Sequence, residues 1–436
     1  MVTIIKTRAK VFQYFHSAGK VDLSFLLILL GIVFGVLLSS STMAEKTAEL
    51  QVLESNRQFT TSLYNVLAEK AGNVFFSPIS VHAVLSMSYQ GAKGTTAEKY
   101  AATLNVPEAK AAAEGYNVVM NRLNSVPNVT LLMANRVYLM DGYELVPEFS
   151  NAVTKNFLSE VQLVNFGANE AAAATINAWV EEKTKEKIKD LISKDDLNGL
   201  TRLVLVNAIY FKGDWKHKFD KAATKTEPFY LNDVDSIDVS MMHTKKKFNY
   251  KSDEALDAQI LEMSYTNEDL SMFIILPNKR NGIAELEKKL ATANLTEITQ
   301  HMWNTEVNVA LPRFKVETTM DLKDSLTKLG LGEIFSPGSA DFSGMITAKE
   351  QLYVSKVIQK AFIEVNEEGA EAAAATGMIR MKRCLENSEE FYVNHPFIYY
   401  LGMKTGTANK VFGGQLFYGK IVEIPQTILN HVHNEL

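Results

Sequence analysis

The chain has one cysteine, Cys384, in 436 residues. An intramolecular disulfide is excluded, and the fold must hold by packing alone. Charge of one sign is also missing: 45 Lys and Arg face 50 Asp and Glu, for a formal net charge of -5. Nothing in that balance suggests a general nucleic-acid surface. The lysines at 183, 185, 187 and 189, interleaved with Glu186 and Asp190, read as a solvated face, as does the run Lys245 to Lys247. Catalytic signatures are lacking too. There is no G-x-S-x-G elbow, no H-E-x-x-H, no Cys-x-x-Cys, and the glycines at 91 and 94 lack Walker spacing. On these grounds the chain reads as no enzyme, although a triad scattered among its eight histidines would leave no sequence trace. No cofactor and no metal is implied. Leu23 to Leu38 (LSFLLILLGIVFGVLL) is slightly short for a membrane span of ~20 residues.

What is present points to a large core. Hydrophobic residues make up 47% of the chain, and length alone would suggest two or three domains. Residues 1–22 are polar and basic, with Lys6, Arg8, Lys10 and Lys20. The apolar run follows, and then the small polar stretch Ser39 to Ala44. Together they read as a signal peptide over residues 1–44, with Thr42 and Ala44 satisfying a small-x-small cleavage rule. An uncleaved signal anchor is the alternative, and only that form would hold the chain to a membrane. A start at Met43 would give a cytosolic form. The chain ends His433-Asn434-Glu435-Leu436, one substitution from the HDEL retrieval signal. The tail, 426–436, is thus expected to engage a retrieval receptor, placing the protein in the endoplasmic reticulum and Golgi, with some secreted. Asn128-Val129-Thr130 and Asn294-Leu295-Thr296 are glycosylation sequons, meaningful in that pathway.

Helices and strands mix without a strict βαβ rhythm, which favours an α+β fold. Leu50, Leu53, Phe59, Leu63, Val66 and Leu67 recur at helical spacing between residues 44 and 71. Ser77-Pro78 predicts a helix start, with a capping hydroxyl and a preset proline. The run 91–96 closes that helix and caps another. Val129 to Leu139 reads as a strand, Glu170 to Ile192 as a helix, and Ile283 to Ala291 as another. Leu203 to Phe211 (LVLVNAIYF) is nearly all apolar, as expected of a strand buried on both faces. Asn207 is its polar exception and needs partners if buried. Leu261 to Pro277 suggests a hairpin. Gln351 to Val365 and Phe391 to Leu401 read as strands, and Gln415 to Val422 as the last.

Between these last strands lies Glu367 to Leu385, EEGAEAAAATGMIRMKRCL. A segment that long without a core-forming pattern is functional or disordered in a compact domain. A helix is the other reading of its alanines. Glu367, Glu368, Gly369, Ala370, Glu371, Ala372, Ala373, Ala374, Ala375 and Thr376 offer little side chain to resist a change of conformation. As a strand, Ala370, Ala372, Ala374, Thr376 and Met378 would share one small, largely apolar face. Glu371 would lie on the other. The second half carries Arg380, Lys382 and Arg383 as Arg-x-Lys-Arg, a site for a protease that reads paired basic residues.

These residues resemble the reactive loop of the serpins. The likeness extends from about Glu45 to Val422, most specifically at Asn73 to Ser80, at NAIYFKGDW from Asn207 to Trp215, at the hinge from Glu364 to Thr376, and at His395-Pro396-Phe397. It implies one serpin domain over 45–425 with a central mixed sheet, further sheets, about nine helices and an exposed loop near 367–390. It also implies bait: a protease cuts the loop, and the freed hinge inserts into the central sheet. With Glu367 seventeenth before the cut, the reactive bond falls between Arg383 and Cys384. The basic motif ends there independently. By the same resemblance Ser77, Ser80 and Asn207 belong to a polar cluster beneath the sheet-opening point, and Trp215 to the place where the hinge enters. Gln359 stands where the family often has histidine. An amide both donates and accepts, so the hydrogen bonding survives the change.

The implied partner is a serine protease trapped in a covalent 1:1 complex with a monomeric inhibitor. Arg380, Lys382 and Arg383 match furin-like convertases, whose subsites must offer carboxylates to buried cations. Arg383 presents a planar guanidinium suited to bidentate binding. A trypsin-like protease, needing Arg383 alone, is the alternative target. A non-inhibitory serpin acting as a binding or chaperone-like protein is the alternative function. The Cys384 thiol, beside three cations, has two readings: a thiolate able to form a mixed disulfide, or a small residue tolerated in an exposed loop.

Overall fold

A computed structural model describes residues 47–348, 350–368, 388–405 and 411–425. The expected signal peptide, the reactive bond, most of the hinge and the retrieval tail lie outside those residues. The described residues from 48 onward group as one compact unit.

Fourteen strands are described. The first seven are β1 (Val74–Phe76), β2 (Val129–Met140), β3 (Val161–Val164), β4 (Leu203–Gly213), β5 (Lys225–Tyr230), β6 (Ser236–Asp253) and β7 (Ala258–Ser264). The rest are β8 (Leu270–Pro277), β9 (Trp303–Pro312), β10 (Phe314–Asp321), β11 (Val354–Val365), β12 (Glu389–Tyr392), β13 (Phe397–Thr405) and β14 (Val411–Ile421). One sheet has five strands in the order β10-β11-β4-β2-β3. The other has nine, β1-β14-β13-β8-β7-β6-β9-β12, with β5 paired to β6. The architecture is α+β, with mixed sheets, as expected.

The five-stranded sheet follows from the β4 sequence. Every residue from Leu203 to Phe211 is buried. Leu203, Leu205, Ile209 and Phe211 join the main core between the sheets and most helices. Val204, Val206, Ala208 and Tyr210 join a second core, closed by Ala172, Ile176 and Val180 of the helix Asn169–Lys183. Alternation at period two sends successive side chains to opposite layers, so an apolar run covers both faces. The helix Pro78–Tyr89 is buried along its whole length. A helix buried on every side must pair its polar groups, and Ser80, His82, Ser86 and Ser88 all have hydrogen-bond partners.

Several expectations are corrected. The helix predicted to reach Ile192 ends at Lys183. Thr184 turns its hydroxyl to the Val180 carbonyl at 2.7 Å, and Lys185 and Glu186 take left-handed backbone at φ 50° and 60°. Ser77 precedes its helix but makes no side-chain cap; its hydroxyl donates to the Leu416 carbonyl at 2.6 Å instead. Thr95 and Thr96 do not cap the helix Gly94–Leu104; both donate to Glu333, at 2.8 and 2.7 Å. The strand read over Phe391 to Leu401 is two strands. β12 pairs with β9, while β13 lies between β8 and β14. Pro396, with no N–H to give, stands in the gap. Glu389 and Glu390 are in β12, so the loop expected over 367–390 ends before them.

Candidate functional site

The site begins with a pairing that sequence does not reveal. β4 and β11 are neighbours and run parallel. Both therefore end on the same side of the sheet. β11 leads directly into Asn366, Glu367 and Glu368, and β4 into Trp215.

Asn207 faces Asn135 of β2 on one side and Gln359 of β11 on the other, in register. The three amides form a row across the middle of the sheet, on the face that packs against the helix Pro78–Tyr89. Gln359 accepts from the Ser77 backbone N–H at 3.0 Å and donates to the Ser77 carbonyl at 2.9 Å. It also donates to Asn207 Oδ1 at 2.5 Å. Asn207 Nδ2 donates to Asn135 Oδ1 at 2.5 Å and to the Ser80 hydroxyl. Ser80 donates to Asn135 Oδ1 at 3.1 Å. Ser77, Ser80, Asn207 and Gln359 are fully buried. The row supplies the partners that a buried Asn207 demands. Gln359 uses both ends of its amide, as the substitution for histidine requires.

The second part is the mouth of the β4–β11 seam. Trp215 is buried and stacks on Tyr265, with ring centroids 4.4 Å apart and planes 15° apart. Its indole N–H donates to the Asn366 carbonyl at 2.9 Å. Its backbone N–H donates to the Glu368 carbonyl at 3.4 Å, and that of Phe219 to the Glu367 carbonyl at 3.0 Å. The Glu367 carboxylate is buried, accepts from the Thr224 hydroxyl at 2.8 Å and lies 3.6 Å from Arg313. Glu368 pairs with Lys221, and that hydrogen bond holds its carboxyl below the usual range. The segment leaving β11 is thus fastened at three consecutive residues before it passes outside the described region at Gly369.

The expected cluster is therefore brought together, with Trp215 placed apart at the seam's end. Two groups of contributors were missed in the sequence. Asn135 sits in an ordinary-looking strand, and only its register with Asn207 reveals it. Lys221 and Thr224 share one short turn and Arg313 lies between β9 and β10, with no common motif. Asn128 is exposed, with φ 61°. Asn294 is half-buried and caps a short helix, accepting from the Thr296 N–H at 3.0 Å. Arg380, Lys382, Arg383, Cys384 and the hinge from Gly369 to Thr376 lie outside the described residues. Among the described residues, no group of three or more His, Asp or Glu could hold a metal ion. Among the same residues, no helix is long and apolar enough to cross a membrane.

Two buried histidines are kept neutral by their surroundings. His82, in the helix beneath the amide row, contacts the Tyr116 hydroxyl at 2.7 Å and the Leu104 carbonyl at 2.9 Å. Burial pushes it down to about 4. His395 lies 2.8 Å from the Pro277 carbonyl, and burial lowers it too.

Comparison with known proteins agrees with this geometry. The profile of the family described as serpin (serine protease inhibitor) matches residues 54–423. The leukocyte elastase inhibitor of Xenopus tropicalis is 40% identical over 352 residues, covering 79% of this chain and 93% of its own. Alaserpin of Manduca sexta is 39% identical over 395 residues, covering 90% and 98%. The crystal structure of Serpin48, a highly specific serpin of the insect Tenebrio molitor, superposes with a TM-score of 0.76 at 33% identity. That superposition covers 86% of this chain and 98% of Serpin48. These findings correct the ground on which the chain was set down as no enzyme. Missing motifs carry little weight; the family description and the relatives' names define it positively, among proteins that act on enzymes as inhibitors. With a family match over most of its length and relatives at this identity, the chain belongs to the serpins.

Proposed function

We propose that this serpin is a suicide-type inhibitor of furin-like convertases in the secretory pathway. The protease attacks the Arg383 carbonyl through its serine and forms an acyl-enzyme, releasing Cys384 as the new N-terminus. The hinge from Glu367 to Thr376 then enters the sheet before water completes hydrolysis. The observation that carries this reading is the parallel seam. A strand that turns back after β11 runs antiparallel to it, and so antiparallel to β4 as well. It can therefore pair with both neighbours once they part. Hinge residues of small volume suit that position, because a strand between β4 and β11 is covered on both faces.

Specificity rests on Arg380, Lys382 and Arg383, which fill the fourth, second and first subsites. A trypsin-like target needs only Arg383. The leader over residues 1–44, the sequons at Asn128 and Asn294, and His433 to Leu436 support residence in the endoplasmic reticulum and Golgi. Attachment of a glycan at Asn294 Nδ2 leaves Oδ1 free to keep its cap.

The test mixes the purified mature protein with a furin-type convertase and, in parallel, with trypsin. A denaturant-stable band at the summed mass with the convertase, lost in Arg380→Ala, is the expected result. Trapping of trypsin alone would remove the convertase assignment and keep the inhibitor. Clean cleavage after Arg383 with both enzymes left active would make the loop a substrate. N-terminal sequencing is expected to start near Glu45; an intact leader would mean a signal anchor.

A further inference from the structure

The chain has two Asn-Gly pairs, Asn198-Gly199 and Asn281-Gly282, and the fold treats them oppositely. An asparagine side chain is open to attack by the backbone nitrogen of the next residue, and a glycine there leaves that nitrogen unshielded. Two oxygens take up negative charge on the way. One is the peptide oxygen, when the nitrogen loses its proton; the other is Oδ1, when the nitrogen adds to Cγ. N–H donors already placed at those oxygens lower the barrier.

At Asn198 both donors are in place. Asn198, Gly199 and Leu200 are exposed, in the turn that leads into β4. The Leu200 N–H donates to Asn198 Oδ1 at 2.8 Å, and the Thr201 N–H donates to the Asn198 carbonyl at 3.0 Å. Among the described residues, neither the Gly199 N–H nor Asn198 Nδ2 has an acceptor, so nucleophile and leaving group are both free. At Asn281 the groups are used the other way. The Gly282 N–H donates to the Lys279 carbonyl at 2.9 Å, and Asn281 Nδ2 donates to the Asp233 carboxylate at 2.9 Å. There the nitrogen is occupied and the amide tethered, with a negative charge beside the place where more would develop.

We propose that Asn198 is a self-modification site, converted without an enzyme to aspartate and isoaspartate. The Gly199 nitrogen loses its proton and bonds to Cγ; the Cγ–Nδ2 bond breaks, and ammonia leaves with that proton. Water then opens the cyclic imide. Opening at Cγ gives aspartate. Opening at the main-chain carbonyl gives isoaspartate, whose backbone runs through Cγ and is longer by a methylene. Either product adds a negative charge. The longer backbone acts on a strap. The Tyr353 hydroxyl donates to the Leu200 carbonyl at 2.6 Å, the Arg202 N–H to the Ser355 hydroxyl at 2.9 Å, and Lys356 to Asp196 at 2.6 Å. These contacts tie the segment 196–202 to the start of β11, at the end of the β4–β11 seam opposite Trp215. A methylene inserted at 198 displaces the Leu200 carbonyl and slackens that tie.

Ageing the full protein at mildly alkaline pH tests the site, read by peptide mapping and by labelling with an isoaspartyl-specific methyltransferase. Residue 198 is expected to convert about tenfold faster than residue 281, the worth of the N–H hydrogen bond that must first be broken at Gly282. Gly199→Ala should slow conversion by a similar factor. Gly199 has no positive φ, and open space lies where the Cβ would stand, so this variant folds. Hydrogen exchange at residues 353–356 should be faster in aged than in fresh protein, and unchanged on ageing Gly199→Ala. Equal conversion at 198 and 281 would overturn the assignment, and unchanged exchange in fully converted protein would overturn the effect on the strap. No protease enters these measurements, so they fail or succeed separately from the inhibitor reading.

Discussion

Two seams of this molecule are built from opposite materials. In the nine-stranded sheet β8 and β13 run antiparallel, and β8 is buried at every residue. Phe273 faces Tyr400 in register, their rings stacked at 4.8 Å. In the five-stranded sheet β4 and β11 run parallel and carry amides at the matching place. Ring packing is non-directional and is lost all at once when partners separate, since a void has no atoms to replace those removed. A hydrogen bond can pass from one acceptor to another as the strands move, and its net worth is smaller. A seam that is to stay shut favours the first material, and one that is to open favours the second.

That contrast can be strained from both sides. Phe273→Ala empties the closed seam and is expected to cost about 3–5 kcal/mol, read from the denaturant midpoint. A loss below about 1 kcal/mol would mean the rings do not hold that seam. Next comes acid. The unfolded chain binds a proton at His82 near pH 6.5, while the folded chain resists it down to about 4. The contribution of this group is thus complete above pH 6.5, declines below it, and is gone near pH 4, for a total of roughly 3 kcal/mol. Urea midpoints taken from pH 7.5 to 5 should fall, and His82→Gln should flatten that slope; an unchanged slope would assign the acid response elsewhere.

At the opening seam, Gln359→Leu leaves the Ser77 N–H and Asn207 Oδ1 without their partner. The expected cost is about 1–3 kcal/mol, smaller than for the ring. A synthetic peptide of the hinge sequence should enter the variant's sheet faster than the wild type's, seen as a native-gel shift; slower uptake would count against the amide row as the latch. The smallest effect belongs to Glu367→Gln, which removes the ion pair to half-exposed Arg313. Calorimetry should register under about 1 kcal/mol. A larger loss would make the fastening at 366–368 a principal support of the closed sheet.

The sequence carried the opening seam further than its geometry would suggest. The apolar run of β4, the anomaly at Asn207, the proline at the start of the buried helix and the small-residue hinge were all visible as composition. Nothing local marked Asn135, because a strand with one asparagine looks like any half-exposed strand, and its role exists only through register. The early end of the helix at Lys183 was hidden for a related reason. Lysine and glutamate at 185 and 186 carry no preference for left-handed backbone, so tertiary contacts decided it. The capping expected of Ser77 failed because the Leu416 carbonyl, distant in sequence, is the nearer use for its hydroxyl. Pairings between remote strands are the information that a linear reading lacks.

Trp215 gives the molecule its own optical gauge. The chain holds three tryptophans, at 179, 215 and 303. Trp303 is 77% exposed and Trp215 2%. The Trp215 indole is bonded to the Asn366 carbonyl, the first residue past β11. When the hinge moves, that carbonyl moves, and the emission and lifetime of this indole must change while Trp303 remains a constant background. A protein bearing Trp179→Phe and Trp303→Phe would report the opening of one seam, through one fluorophore, with no label attached.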